Sequence, residues 1–349
     1  MHNQLKIMQN QKIQATDYKF LSPKYPVFVF GGGGFGQKVA DVLRSSGYKF
    51  AGYVTSDTWF NNLHNQQVQI VIGIFNRDVP LNKVYNEAIK KGFKNIFMPW
   101  DFYNQFHYEM GWRYWLARDT VVAKNLESIN QVVDLFADVT SVECFYNIIN
   151  FRSGHLLEYS SFTHNLPQYF NDLTLNKPIN MYVDGGAYIG DTYNYLIERI
   201  DVARSYLIEP DPNNFARLTS TVKQAVCLPM ALSDKIELVK FASDSSESAH
   251  IDARGTYNIM TVSLDQLFPN VHNLSFIKLD LEGGEFKAIK GAERLIRNSR
   301  PVIAVSIYHK PEDIWEIPLL LSEYCEDYNF YLRQHNFNSF DSVLYAVPK

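Results

Sequence analysis

From residue 177 to residue 349, short apolar runs alternate with helical patterns, and this alternation restricts the fold more than any other feature of the chain. The runs are NMYVDG (180–185), SYLIE (205–209), VCLPMAL (226–232), FIKLDL (276–281), PVIAVSIY (301–308), FYLRQH (330–335) and SVLYAVP (342–348). Helical patterns fall between the first five, so those strands should lie parallel and be joined by crossovers. A hairpin, IELVKFAS with NIMTVSLD, precedes the fourth. Only NFNSFD separates the last two runs, which predicts an antiparallel pair. The expectation for 177–349 is an α/β doubly wound sheet ending in an antiparallel hairpin.

A smaller copy of the pattern opens the chain. After a polar arm over 1–20, YPVFVF (25–30) leads into GGGGFG and the helical pattern of QKVADVLRSSG. KFAGYV (49–54), VQIVIGI (68–74) and NIFMP (95–99) read as strands, and LNKVYNEAIKKG as a helix closed by Gly92 at C′. This predicts a Rossmann-like α/β domain over 21–105. Strands then vanish. Over 106–176, Val122, Leu126, Ile129, Val132, Val133 and Phe136 recur at helical spacing, and Thr140-Ser-Val-Glu143 has the form of a capping box opening a second helix. The segment reads as a helical bridge.

Composition narrows the function. The 349 residues, 46% hydrophobic, suffice for two cores. A net charge of −4 without a basic run argues against a nucleic-acid partner or an anionic membrane surface. The sequence lacks the 18 consecutive apolar residues of a membrane span, and MHNQLKIMQNQKIQ has no apolar signal core, so a cytoplasmic location is expected. Cys144, Cys227 and Cys325 are odd in number and far apart, which suggests buried reduced thiols rather than disulfides or a metal centre.

Chemistry concentrates at strand ends. In VDGGAYIGDT, Asp184 closes a strand, Gly186 permits a sharp turn, and Gly190 lets the helix that starts near Asp191 approach. Glu209 lies 25 residues beyond Asp184, at the end of the next strand, where a carboxylate can accept both ribose hydroxyls of a nucleoside. Pro210 and Pro212 fix the following turn. IKLDLEGGEFKAIKGA (277–292) carries a conflict: Lys278, Asp280 and Glu282 alternate with apolar residues in a strand expected to be covered on both faces. Carboxylates there are costly unless a site uses them. In a doubly wound sheet the first and fourth strands are neighbours at the switch point, so Asp280 and Glu282 should face Asp184 and Glu209 across a crevice. Five helix-linked strands followed by an antiparallel hairpin form the architecture of class I S-adenosylmethionine methyltransferases. The sulfonium donor, S-adenosylmethionine, is then expected along Asp184, Gly186, Tyr188, Gly190, Asp191, Thr192, Glu209 and Asp211.

VDGGAYIGDT, IEPDPNNFARL, SLDQL and IKLDLEGGEFKAIKGAERLI, in this order, resemble the FkbM family of S-adenosylmethionine-dependent methyltransferases, and the resemblance covers roughly 150–349. It implies O-methylation of a hydroxyl on a sugar, nucleotide sugar or glycan precursor. Candidate bases are Asp280, Glu282 and His309. His309, at the end of the fifth strand, suits a base at its ordinary pKa, a substrate-binding group or a structural residue, and the sequence leaves the three open. Glu285 suits the positive end of a helix dipole, and Lys278 should pair with a neighbouring acid. The polar stretch 244–255 is either a lid or a solvated loop.

The amino-terminal Gly31, Gly33 and Gly36 follow a strand and precede a helix, the context of a dinucleotide fingerprint. Asp57, however, lies past the second strand rather than at its end. The stretch is similar to the nucleotide-sugar-binding domains of some bacterial sugar acetyltransferases, which implies a sugar diphosphate. A scaffold or homodimer surface is the alternative. Two rival functions stand beside methyl transfer: a nicotinamide oxidoreductase built on this loop, and a non-catalytic binding protein of methyltransferase-like fold.

Overall fold

The computed structural model describes residues 18–58, 67–175, 177–242, 250–251 and 255–349. The arm expected over 1–20 and the stretch 244–255 lie almost wholly outside the described residues. The chain divides into two compact units. One holds the described residues up to Glu127, with Val142–Asn165 and Gln334–Ser342; the other holds Ser128–Ser141, Leu166–Arg333 and Val343–Lys349. The stretch 106–176, read from sequence as a bridge, is thus divided between the two.

In the first unit β1 (Val27–Phe30), β2 (Phe50–Val54), β3 (Gln69–Ile72) and β4 (Asn95–Phe97) form a parallel sheet in the order β2-β1-β3-β4. Val27, Val29, Val71 and Phe97 pack with Val39, Val42 and Leu43 of the helix Gly34–Ser45, and with Phe102 and Phe106 of the helix Pro99–Met110. The glycine loop has two kinds of glycine. A Cβ on Gly36 would lie 2.1 Å from the Gly31 carbonyl oxygen, so Gly36 is required for the helix to meet the strand. A Cβ on Gly33 would meet nothing within 4 Å, and its backbone is extended at φ −71° and ψ −177°.

The second unit continues with β5 (Tyr182–Gly185), β6 (Ser205–Ile208), β7 (Val226–Leu228), β8 (Ala231–Leu232), β9 (Glu237–Ala242), β10 (His250–Ile251), β11 (Tyr257–Val262), β12 (Phe276–Leu279), β13 (Val302–Ser306), β14 (Tyr328–Gln334) and β15 (Ser342–Pro348). Seven of these build one sheet in the order β14-β15-β13-β12-β5-β6-β7. The five helix-linked strands β7, β6, β5, β12 and β13 pair in parallel, and β15 runs antiparallel to β13. β5 and β12 are neighbours, as a switch point requires. Tyr182, Leu207, Phe276, Ala304 and Tyr345 from five of these strands pack with Tyr193 and Leu196 of the helix Asp191–Ile197 and with Leu218 of the helix Pro212–Thr221. Each of the large apolar side chains among them, such as Leu207 and Phe276, contributes roughly 1.5–3 kcal/mol.

Four local expectations change. VCLPMAL breaks into β7 and β8, because Pro229 has no N–H for a ladder, and β8 joins β9, β10 and β11 in a separate small sheet. The fourth strand stops at Leu279, since the chain turns through positive φ at Glu282 and Gly283 (51° and 92°). The helical pattern over 120–133 is two helices, Thr120–Lys124 and Leu126–Val133, with Leu126 left 40% exposed. The helix Val139–Arg152 starts one residue before Thr140, and its cap is Asp138, whose Oδ1 accepts from the Ser141 amide at 2.8 Å. Cys144 and Cys325 are buried and Cys227 half-buried, none in a disulfide among the described residues. No helix among those residues is long and apolar enough to cross a membrane.

The two kinds of glycine make a paired prediction. Gly36→Ala should destabilise the protein by about 1–3 kcal/mol through overpacking, whereas Gly33→Ala should stay within about 0.5 kcal/mol of the parent. Thermal unfolding of the two variants side by side measures the difference.

Candidate active site

The site begins with a charge pair inside the sheet. Lys278 on β12 and Asp184 on β5 are register partners, and Nζ lies 3.0 Å from Asp184 Oδ1 with both side chains almost fully buried. The Tyr182 hydroxyl donates to Asp184 Oδ2 at 2.9 Å, and Lys278 Nζ donates to the Gly186 carbonyl at 2.7 Å. Burial works against the ammonium, but Asp184 and Asp280 on either side outweigh it and hold the Lys278 pKa above its ordinary value. Asp184 is thus fully buried and paired within the sheet, and Lys278 links it to the turn at Gly186. That turn admits only glycine, because φ is +74° and a Cβ would lie 1.8 Å from the Asp280 carbonyl oxygen.

On the other side of the loop stands Glu209, 6% exposed. Its Oε2 accepts from the Tyr188 amide and its Oε1 from the Asp211 amide, both at 2.9 Å. Each oxygen keeps a second lone pair. Burial pushes the Glu209 pKa up to about 7, against the pull of those two amides. Tyr188 takes φ +50° to present its amide, a conformation that costs about 1–3 kcal/mol. Asp211 is the N-cap of the helix Pro212–Thr221, its Oδ1 accepting from the Asn213 and Asn214 amides at 2.9 Å, while its buried Oδ2 accepts no hydrogen bond. Gly190 is buried, Thr192 half-buried, and Asp191 exposed in the first turn of its helix.

Beyond β12 the three candidate bases converge, joined by residues the sequence reading assigned to structure or missed. His309 is fully buried, its Nε2 3.5 Å from Asp280 Oδ1 and 3.6 Å from Glu282 Oε1. Its Nδ1 lies 2.8 Å from Oε1 of Glu285, which is also fully buried and accepts from the Leu281 amide at 2.5 Å. Burial alone would strip the proton from His309, but Glu285 and Glu282 outweigh it and raise the pKa well above 6.5. An imidazolium has no lone pair with which to take a proton. The expectation that His309 titrates near its ordinary value is thus corrected, and Glu285 gains the role of its partner.

Asp280 is 27% exposed, and its Oδ2 accepts from the Tyr169 hydroxyl at 2.9 Å. Burial would raise its pKa, yet Lys278 and His309 hold it below the ordinary value, with help from Ser306 and Tyr169. Glu282 is 15% exposed, and burial raises its pKa despite His309. Asp313 completes the cluster from the helix Asp313–Tyr324; burial and then Glu285 push it up to about 7. Tyr169 and Asp313 were not singled out in the sequence. Tyr169 lies in a segment without strand or motif, and Asp313 is 33 residues from Asp280, so no local pattern marks either.

Gly31, Gly33 and Gly36 belong to the first unit. β2 ends at Val54, and Asp57 sits exposed in the turn beyond it.

The seven-stranded sheet, with its switch point between β5 and β12 and its antiparallel carboxyl-terminal strands, is that of a class I methyltransferase. Within it, residues 184–339 match the family model of the methyltransferase FkbM domain. A crystal structure of the methyltransferase FkbM from Methylobacillus flagellatus KT is similar in fold at a TM-score of 0.67 and 19% identity, over 99% of this chain and 97% of that one. A precorrin-6y C5,15-methyltransferase from Geobacter metallireducens GS-15 (TM-score 0.32, 10% identity) aligns over 51% of this chain and 84% of its own. An S-adenosylmethionine-dependent methyltransferase from Aquifex aeolicus (0.30, 15%) aligns over 49% and 82%. At those TM-scores the last two add nothing to the assignment. No curated protein sequence matches.

Breaking the buried pair tests the scaffold of the site. Lys278→Met leaves Asp184 buried without its cation and should cost about 3–5 kcal/mol. Chemical denaturation of the variant measures the loss.

Proposed function

We propose that the protein transfers the methyl group of S-adenosylmethionine to a hydroxyl of a sugar, nucleotide sugar or glycan precursor. The observation that carries the donor assignment is Glu209: a nearly buried carboxylate at the end of the second strand, with one lone pair on each oxygen left over for the two ribose hydroxyls. When bound, the donor supplies an electrophilic methyl on a sulfonium sulfur. Asp280, ionised and partly exposed, gives the crevice the negative charge that suits a cationic ligand. Glu282 is the residue best placed to take the acceptor's proton. Its side chain is 15% exposed, and it is held at a strained φ of +51° beside His309. The proton passes from the acceptor oxygen to Glu282 as the O–CH3 bond forms and the S–CH3 bond breaks. His309, charged, holds Glu282 and Asp280 apart and in place.

Supporting a sugar-diphosphate site in the first unit, the helix Gly34–Ser45 opens with no acidic residue in its first turn, and Gly33 leaves space over its amides. β2 offers no acid at Val54 for a nicotinamide ribose.

Three outcomes are expected. In calorimetry, Glu209→Gln should bind S-adenosylhomocysteine about tenfold or more weakly, since charge-assisted hydrogen bonds are worth roughly 1.5–3 kcal/mol. Because Glu209 must be ionised to accept the hydroxyls and its pKa is raised to about 7, wild-type affinity should fall as pH drops below 7 and level off above it; a flat profile from pH 5.5 to 8.5 would remove Glu209 from the donor site. With labelled donor and a panel of nucleotide sugars and glycans, Glu282→Gln should lower turnover by about 10²–10⁴-fold at near-normal donor affinity. Near-normal turnover in that variant would place the base elsewhere.

A further inference from the structure

The cluster beyond β12 holds more carboxylate oxygens than its hydrogen-bond donors satisfy. Asp280, Glu282 and Glu285 surround one imidazole, and Asp313 stands behind them. Three carboxylate oxygens there, Asp280 Oδ1, Glu282 Oε2 and Glu285 Oε2, are buried and accept no hydrogen bond. Glu285 is the telling case: its side chain is fully buried, Oε1 is occupied by the Leu281 amide and the His309 ring, and Oε2 faces nothing that donates. A buried acceptor left in that state is costly, and more so when it is charged. Asp280, Glu285 and His309 each bring one ligand atom within 4.8 Å of the other two. Two carboxylates and an imidazole form a donor set for a hard or borderline divalent cation.

We infer that Asp280, Glu285 and His309 bind a divalent cation such as Mn2+ or Mg2+ beside the place of the acceptor hydroxyl. The unsatisfied oxygens and the spacing of the three ligand atoms carry the inference; a cation bound there displaces one proton from His309, and the ring ligates through the nitrogen lone pair so freed. Glu282, 3.6 Å from the His309 ring, stays beside the ion as the proton acceptor. A hydroxyl oxygen bound to the cation loses its proton more readily. The inference rests on the methyltransferase reading only for the identity of the acceptor.

The full-length protein, stripped of metal with a chelator and dialysed, is titrated with Mn2+, and free Mn2+ is followed by electron paramagnetic resonance. One Mn2+ per chain is expected, weakened at least tenfold in Asp280→Asn, a variant of a partly exposed residue that should keep the fold. Pulsed resonance on the bound ion should show coupling to one 14N nucleus, lost in His309→Gln. Absence of binding, binding unchanged in Asp280→Asn, or a bound Mn2+ without nitrogen coupling would each overturn the inference. S-adenosylhomocysteine binding to the same metal-free sample separates the two proposals. Donor binding without Mn2+ binding sinks only the metal site; Mn2+ binding without donor binding sinks the donor assignment instead.

Discussion

The second unit depends on the buried ion pair between Lys278 and Asp184. It bridges the first and fourth strands of the sheet at the switch point, where a doubly wound fold opens its crevice. Desolvating two charges is expensive, and the geometry answers that expense with further bonds: Tyr182 donates to Asp184, and Lys278 donates to Gly186. The last of these sets the turn. With the Gly186 carbonyl held by Lys278 and the Gly186 Cα against the Asp280 carbonyl, the two loops that line the crevice are fixed to each other by backbone atoms.

From that pair outward, charges alternate: Lys278, Asp280, His309, then Glu282 and Glu285, and Asp313 at the far end. Each charge holds the protonation of the next. Lys278 and His309 keep Asp280 ionised, while Glu285 and Glu282 keep the proton on His309. A network of this kind is strong when complete and costly when one member is missing. Tyr188 and Glu282, both at positive φ, flank the crevice from its two sides, and backbone strain of that sort persists only where surrounding structure imposes it. The second unit therefore gives up stability at its crevice and recovers it in the aromatic and aliphatic core around Tyr182, Phe276 and Tyr345.

Much of this was legible in the chain. Apolar runs bounded by glycine and proline mark each strand of the large sheet, because period and punctuation are local properties. The short NFNSFD link foretold the hairpin strands, yet the same six residues do a second task. Within the first unit, Asn338 accepts from the Leu81 amide and donates to the Asn76 and Val79 carbonyls, capping a helix 257 residues away in sequence. No local pattern contains that contact. The capping box at Thr140 was misread for a related reason: Asp138 and Thr140 both suit a cap, and only the entering chain decides between them.

The sequence by itself determined the residue types at the ends of the strands and the strand order that brings them together: Glu209 and Asp280 on either side of one crevice, with Glu282 and His309 close by. Those follow from chain direction and pattern, which folding cannot alter. Tertiary structure alone decided which of the charges pair with one another. Asp184 and Lys278 neutralise each other inside the sheet, Glu285 turns inward to His309, and Tyr169 arrives from a distant segment to hold Asp280. Protonation was decided there too, since a pKa depends on burial and on charges a few ångströms away in space, and neither distance is written along the chain.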